Sequence, residues 1–231
     1  MIKPEHAALL TPLQNRLIVS CQAKVGEPLR DPDMLAAIAQ LVVDAGACAV
    51  RANEPGTIRA MRARINVPIL GIYKRFYDDS PVYITPTLAD AEAIVSAGCD
   101  ILTVEATNQP RPNGESLETF MREVRDRFDL PIMADISTVE EGIRAAELGA
   151  DIIATTLAGY TPYSRQMDEP DLELVEKLAR DLEIPVIAEG RIATPTQVKA
   201  AFDKGAFSVV VGSMITRPGH ITAYFIKHMT D

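Results

Sequence analysis

Eight short apolar runs in this chain each end on polar residues, of kinds that transfer protons or hold anions. In chain order the ends are Gln22, Arg51, Lys74-Arg75, Glu105, Asp135, Thr155-Thr156, Glu189-Gly190-Arg191 and Gly212-Ser213. A lysine is mostly protonated at neutral pH, but burial or a nearby cation lowers its pKa, and at ~7–8 it serves as a general base. A carboxyl such as Glu189 offers the complementary acid. Glycine lets backbone amides come close to an anion, and Arg191 and Arg217 can add two-pronged contacts. Gly190, Arg191, Gly212 and Ser213 are therefore candidate phosphate ligands. Plainer readings stand beside these: a structural Arg51–Asp135 ion pair, a solvated Lys74, a Glu189 that only holds a loop, and satisfied hydroxyls at Thr155 and Thr156.

Such residues can act together only if the chain brings the run ends to one place. Two signals alternate along it. Gly46, Gly98, Gly149 and Gly205 each close a helical pattern just before an apolar run, as suits the position past a helix C-terminus. Pro68, Pro131 and Pro185 each open an apolar run, the place where a strand tolerates proline. The spacing predicts strands near 17–22, 48–52, 68–74, 100–106, 131–136, 151–157, 185–189 and 207–212. Amphipathic patterns between them predict helices at 33–45, 56–65, 88–97, 116–128, 139–148, 171–182 and 195–204. Caps mark several starts: Asp31-Pro32, Thr87, Ser137 or Thr138 with Glu140 and Glu141, and Thr194-Pro195.

Apolar strands alternating with helices imply a parallel sheet covered on both faces. At this length they predict one α/β domain over 1–231, a single (β/α)8 TIM barrel. A doubly wound sheet fits less well, because Ser20-Cys-Gln-Ala is not a glycine-rich turn. In a barrel the C-terminal strand ends form the active rim, and the loops after strands seven and eight often bind phosphate. Strand alternation turns only one of Lys74 and Arg75 inward, and Lys74 shares a face with Ile72. Loops 108–115 and 158–170 are long enough for lids.

The net charge of −9, from 23 Lys+Arg against 32 Asp+Glu, argues against nucleic-acid binding. No apolar run approaches the ~20 residues of a membrane span. Cys21, Cys48 and Cys99 lie in apolar stretches and suit a reducing compartment. With no secretory pattern at the N-terminus, a cytoplasmic protein is expected. The histidines lie far from any cysteine pair, so no metal site is expected.

The run Leu17-Ile-Val-Ser-Cys-Gln22, then Gly71-Ile-Tyr-Lys-Arg75, Val82-Tyr-Ile-Thr-Pro-Thr87, Arg111-Pro-Asn-Gly-Glu115, Met133-Ala-Asp-Ile-Ser137, Thr155-Thr-Leu-Ala-Gly-Tyr-Thr161, Val186-Ile-Ala-Glu-Gly-Arg191 and Val211-Gly-Ser-Met-Ile-Thr-Arg-Pro218 together resemble the N-acetylmannosamine-6-phosphate 2-epimerase family. The likeness runs in order over nearly the whole chain. It implies a phosphate-binding barrel that interconverts N-acetylmannosamine 6-phosphate and N-acetylglucosamine 6-phosphate in sialic-acid breakdown, without a redox cofactor. By the same resemblance Lys74 is the acid/base and Glu189 the second catalytic group. Gln22, Arg51, Asp135 and Arg217 match positions lining the substrate site. Glu105-Ala-Thr-Asn-Gln departs from the family's Asp-Ala-Thr followed by basic residues; Glu105 keeps the carboxylate as a candidate substrate contact, one methylene longer.

The expected chemistry opens the sugar ring, after which the proton at C2 is acidic because the neighbouring carbonyl can hold the charge. Lys74 moves that proton; Glu189 serves ring opening or the proton on the other face. Three rivals use the same barrel: another phosphosugar epimerase or isomerase, a Schiff-base aldolase and a non-catalytic phosphosugar binder. The segment 217–230 carries Tyr224, Phe225 and Met229, expected to pack on the barrel or else on a second subunit; a homodimer is the default.

Overall fold

The seven proline-led and glycine-led runs, with the run at 17–22 before them, form eight strands in the computed structural model, which describes residues 3–229. They are β1 Leu17–Cys21, β2 Ala49–Asn53, β3 Ile69–Ile72, β4 Ile101–Glu105, β5 Ile132–Asp135, β6 Ile152–Ala154, β7 Val186–Glu189 and β8 Ser208–Val211. All neighbours pair in parallel, and β8 pairs back to β1, closing the barrel. The helices are α1 Pro4–Leu10, α2 Pro32–Asp44, α3 Pro55–Arg62, α4 Leu88–Val95, α5 Leu117–Arg127, α6 Val139–Glu147, α7 Leu172–Asp181, α8 Pro195–Asp203, α9 Ser213–Thr216 and α10 Pro218–Lys227.

The caps fall where the sequence places them. Thr138, rather than Ser137, caps α6, and Glu141 returns the bond as a capping box; Thr194 and Gln197 do the same for α8. Gly149, at φ +90°, turns the chain from α6 into β6, a conformation that costs other residues strain.

Strand alternation divides the apolar side chains into two cores. Outward residues such as Val50, Leu102, Ala134 and Ile153 pack under the helices with Ile58, Phe120 and Leu178. Inward residues Ile18, Ala49, Leu70, Ile101, Met133, Ile152, Ile187 and Val210 fill the lower barrel. Leu10 and Leu13, on α1 and the 3-10 turn after it, close the base of that inner core. No sequence signal marks this plug, because its few apolar residues form no long period.

Two expectations change. β3 stops at Ile72, two residues short of Lys74. The chain then folds into a hairpin-like arm, residues 73–85, in which Lys74 bridges Ile84 in antiparallel fashion. This connection was not among the long loops read from sequence. The tail also differs: no residue of α10 is buried, and Phe225, Ile226 and Met229 are 64%, 63% and 76% exposed. A ten-residue helix entered through Pro218 has its main contacts with the short α9 and does not lie along the barrel wall. Thr230, the last residue of the expected segment, lies outside the described residues.

Candidate active site

Period-two alternation carries Arg51, Asp135 and Glu189 inward, one polar layer above the apolar fill. Arg51 is 1% exposed and Asp135 is fully buried. One Nη of Arg51 donates to Asp135 and the other to Glu189, and the second also reaches Thr156 Oγ1 at 3.1 Å. Thr156 donates to Asp135 Oδ1 at 2.6 Å. Thr155 fixes the backbone of Glu189, donating to its carbonyl at 3.0 Å and accepting from its N–H at 3.1 Å. The anticipated Arg51–Asp135 pair is thus present and extends to Glu189. Arg51 and Asp135 form a buried floor beneath the mouth instead of open contacts.

The floor is electrostatically unbalanced: two carboxylates share one guanidinium. Burial raises the pKa of both Asp135 and Glu189, against the pull of Arg51, and the neighbouring Asp135 charge raises Glu189 further. Lys74 stands over this floor. Burial, aided by the Arg51 charge, lowers it to about 8, while Glu189 and Asp135 oppose the shift. The Lys74 and Glu189 pKa values therefore move toward each other, as acid/base partners require. Arg75 points to solvent, as alternation predicts.

Lys74 is held through its backbone. Its N–H donates to Asn53 Oδ1 at 2.8 Å, and its neighbours pair with the returning limb through Arg75 N to Tyr83 O (3.0 Å) and Thr85 N to Tyr73 O (2.8 Å). Glu105, a candidate substrate contact by sequence, serves this arm instead. Fully buried, it accepts from the N–H groups of Tyr83 (3.0 Å) and Ile84 (3.2 Å) and from the Thr107 hydroxyl (2.8 Å). With these donors in place the carboxylate is committed to the protein, and its assignment to the sugar is withdrawn.

The turns after β7 and β8 fit an anion to different degrees. Gly190 and Arg191 both have positive φ, +109° and +56°, and no acceptor among the described residues takes either N–H. Gly212 packs against β1, where an added Cβ would lie 3.2 Å from Ser20 Cβ. The Arg191 side chain departs from expectation. It donates to the Ala158 and Gly159 carbonyls and lies 4.1 Å over the Tyr160 ring, so it clamps the 158–170 loop and only its backbone is free for an anion. Arg217 pairs with Glu27 and approaches Ser213 Oγ at 3.4 Å, on the same side of the mouth. Gln22 donates to Ser20 Oγ at 2.8 Å, and its Oε1 is buried without a partner among the described residues. Arg217→Ala is expected to raise KM for a phosphosugar with little change in kcat; an unchanged KM would remove Arg217 from the anion site.

Neither long loop hangs free. Glu141, fully buried, takes Asn108 N–H (2.7 Å) and the Tyr163 hydroxyl (2.6 Å), tying the two loops together. Thr156 is a satisfied hydroxyl, the plainer of the readings its sequence position allows, while Tyr83, Asn53, Glu27 and Arg111 join the site without a signal of their own in the sequence. Burial, with the charges of Glu105 and Asp135, pushes the Tyr83 phenol above its ordinary pKa. Tyr83, Thr156 and Arg111 each sat in a recognised motif, but their partners come from other strands and loops.

Residues 35–231 match the family described as "Putative N-acetylmannosamine-6-phosphate epimerase". A protein of Caldanaerobacter subterraneus subsp. tengcongensis, named "Putative N-acetylmannosamine-6-phosphate 2-epimerase", is 44% identical over 224 residues, covering 96% of this chain and 94% of that protein. The solved structure of the N-acetylmannosamine-6-phosphate 2-epimerase from Clostridium perfringens superposes with a TM-score of 0.93 at 42% identity, over 98% of this chain and 99% of that one. The thiamine phosphate pyrophosphorylase of Pyrococcus furiosus, at 16% identity and a TM-score of 0.60 over 93% of each chain, shares the fold alone.

Proposed function

The chain belongs to the N-acetylmannosamine-6-phosphate epimerase family, and we propose on that premise that it inverts C2 of N-acetylmannosamine 6-phosphate to give N-acetylglucosamine 6-phosphate. One observation supports this reading above the others. Lys74 follows β3 and Glu189 ends β7, four strands apart in a ring of eight, so the two groups reach the mouth from opposite sides. Inversion at carbon needs a proton taken from one face and one returned on the other.

The steps balance without an added reactant. The pyranose opens as the C1–O5 bond breaks, the O1–H proton leaves and O5 gains a proton, giving an aldehyde at C1. The neutral Lys74 amine takes the C2 proton, and the C2–H electron pair moves into the C1–C2 bond with charge on O1. Glu189, whose pKa burial raises, returns a proton to C2 from the β7 side, and the aldehyde re-forms and closes. The charge of Arg51 lowers the cost of the oxyanion. The free amides at Gly190 and Arg191, with Arg217, take the phosphate, which anchors the sugar while its reacting end is linear.

Heavy-water NMR tests the assignment. The wild type should place deuterium at C2 in both epimers. Glu189→Gln should stop turnover yet still wash the C2 proton out of the epimer that Lys74 faces. Equal exchange from both epimers in that variant would return both proton transfers to one group.

Finer expectations rest on this reading. We place the enzyme in the cytoplasm, in keeping with three buried free cysteines. No helix among the described residues is long and apolar enough to cross a membrane. A homodimer is proposed because α10 leaves Phe225, Ile226 and Met229 uncovered.

A further inference from the structure

We propose that Glu105 is a positioning residue: its carboxylate fixes the returning limb of the 73–85 arm, and through that limb sets where the Lys74 amine stands over the barrel. The kinetic side of this inference rests on the reading of Lys74 as the base; the structural side does not.

Other ties hold the tip and the outgoing limb of the arm: Tyr77 donates to Asp90, Ser80 to Pro110 O, and the Lys74 N–H to Asn53 Oδ1. Lys74 lies beyond the end of β3, so the barrel ladder does not fix it. Its one strand-like partner is Ile84, and Ile84 is wrapped by Glu105 from both directions. The Glu105 N–H donates to Ile84 O at 2.9 Å, and Glu105 Oε2 accepts from the N–H groups of Tyr83 and Ile84. Beside it Arg111, 3% exposed, spreads its guanidinium over backbone carbonyls of both segments: Glu105 O at 2.7 Å and Pro86 O at 2.6 Å. Thr85, between these contacts, is buried with φ +48°, a strained conformation for a β-branched residue. It persists because Thr85 Oγ1 both accepts from Tyr73 N–H (3.1 Å) and donates to Thr103 O (2.7 Å). A segment built against local preference and tied at this many points has one geometry, and the Glu105 carboxylate is the side-chain anion that takes the N–H groups of its returning limb. Loss of that charge weakens the hold on the buried Ile84 N–H and the half-buried Tyr83 N–H, and the limb loosens. Lys74 shifts with it.

The groups facing Lys74 are Arg51 on β2, Asp135 on β5, Glu189 on β7 and Arg217 before α10. None of them changes when Glu105 does. A change in the Lys74 titration therefore reports movement of the arm.

The experiment uses the full chain with lysines reductively methylated with ¹³C-formaldehyde, the Lys74 signal assigned by its absence in Lys74→Met. In wild type that signal should titrate near 8. In Glu105→Gln it should move up toward the ordinary lysine value as the arm opens to water. In the same variant kcat for C2 exchange should fall roughly tenfold to a hundredfold, the scale of a misplaced catalytic group, with KM held within about twofold. Glu105→Asp keeps the charge but shortens its reach. It should give a smaller shift in the same direction and recover part of kcat, and it carries the test if Glu105→Gln does not fold. A Lys74 titration identical to wild type in the folded variants overturns the inference, whatever the wild type catalyses. A wild type that leaves C2 unexchanged overturns the epimerase reading, whatever the variants do.

Discussion

Lys74→Met is expected to lose ~100- to 10,000-fold in C2 exchange, the usual worth of a general base, and at the same time to become more stable at neutral pH. The second half follows from linkage. The Lys74 pKa is about 8 in the folded chain against 10.5 unfolded. Below pH 8 both states carry the proton, and the folded state bears the whole cost of a buried charge. Between 8 and 10.5 the folded state has released its proton and the unfolded state has not, so stability rises with pH and the penalty fades. A shift of this size corresponds to ~3 kcal/mol at most. Part of it is offset, because the Lys74 charge also restrains Asp135 and Glu189. Thermal unfolding at pH 7 and pH 10 checks this: Tm should rise in the variant at pH 7, by roughly 2–4 °C per kcal/mol, and the gain should shrink at pH 10. An unchanged or lower Tm at pH 7 would mean that the amine sits comfortably charged and is no base. Wild-type kcat/KM should accordingly climb with pH through about 8 as the amine loses its proton.

Arg51→Met should be the most damaging single change to the site. The substitution leaves Asp135 and Glu189 buried side by side without their cation. Breaking a buried pair in this way costs about 3–5 kcal/mol, because the desolvated partner remains. The deficit carries a pH sign. In the variant the two carboxyls have pKa values pushed still higher above their unfolded values, so the folded state binds more protons and stability falls as pH rises. The loss should be smaller at pH 5 than at pH 8. Neutralising the whole floor in Arg51→Met/Asp135→Asn/Glu189→Gln should recover most of the stability with none of the activity. Denaturation curves in which the triple variant is no more stable than the single one would show that packing, not charge, dominates the loss.

The two predictions concern residues that were legible in the sequence to different degrees. Lys74 and Glu189 could be read because each ends an apolar run, and alternation excluded Arg75. The role of Glu105 could not be read. A carboxylate at the fourth strand end looks like one more rim group until the 73–85 arm folds across it and takes its oxygens. Arg191 misleads for a similar reason: beside a glycine it has the pattern of an anion ligand, yet the Ala158 and Gly159 carbonyls claim it. The α1 plug left no mark because it carries no long period, and the tail at 217–230 could be read as apolar but not as uncovered.

Local order in this protein is written along the chain. Prolines that open strands, glycines that close helices, caps and period-two alternation act over a few residues, and together they fix eight strands, the closed sheet and the rim at which polar groups gather. Hydrogen-bond partners and charge balance are settled across the barrel, between residues far apart in sequence. Whether a carboxylate serves a substrate or a backbone amide, and whether an amine is charged, depends on which distant group arrives first within bonding distance and how much water is left around it. Only the tertiary structure decides that.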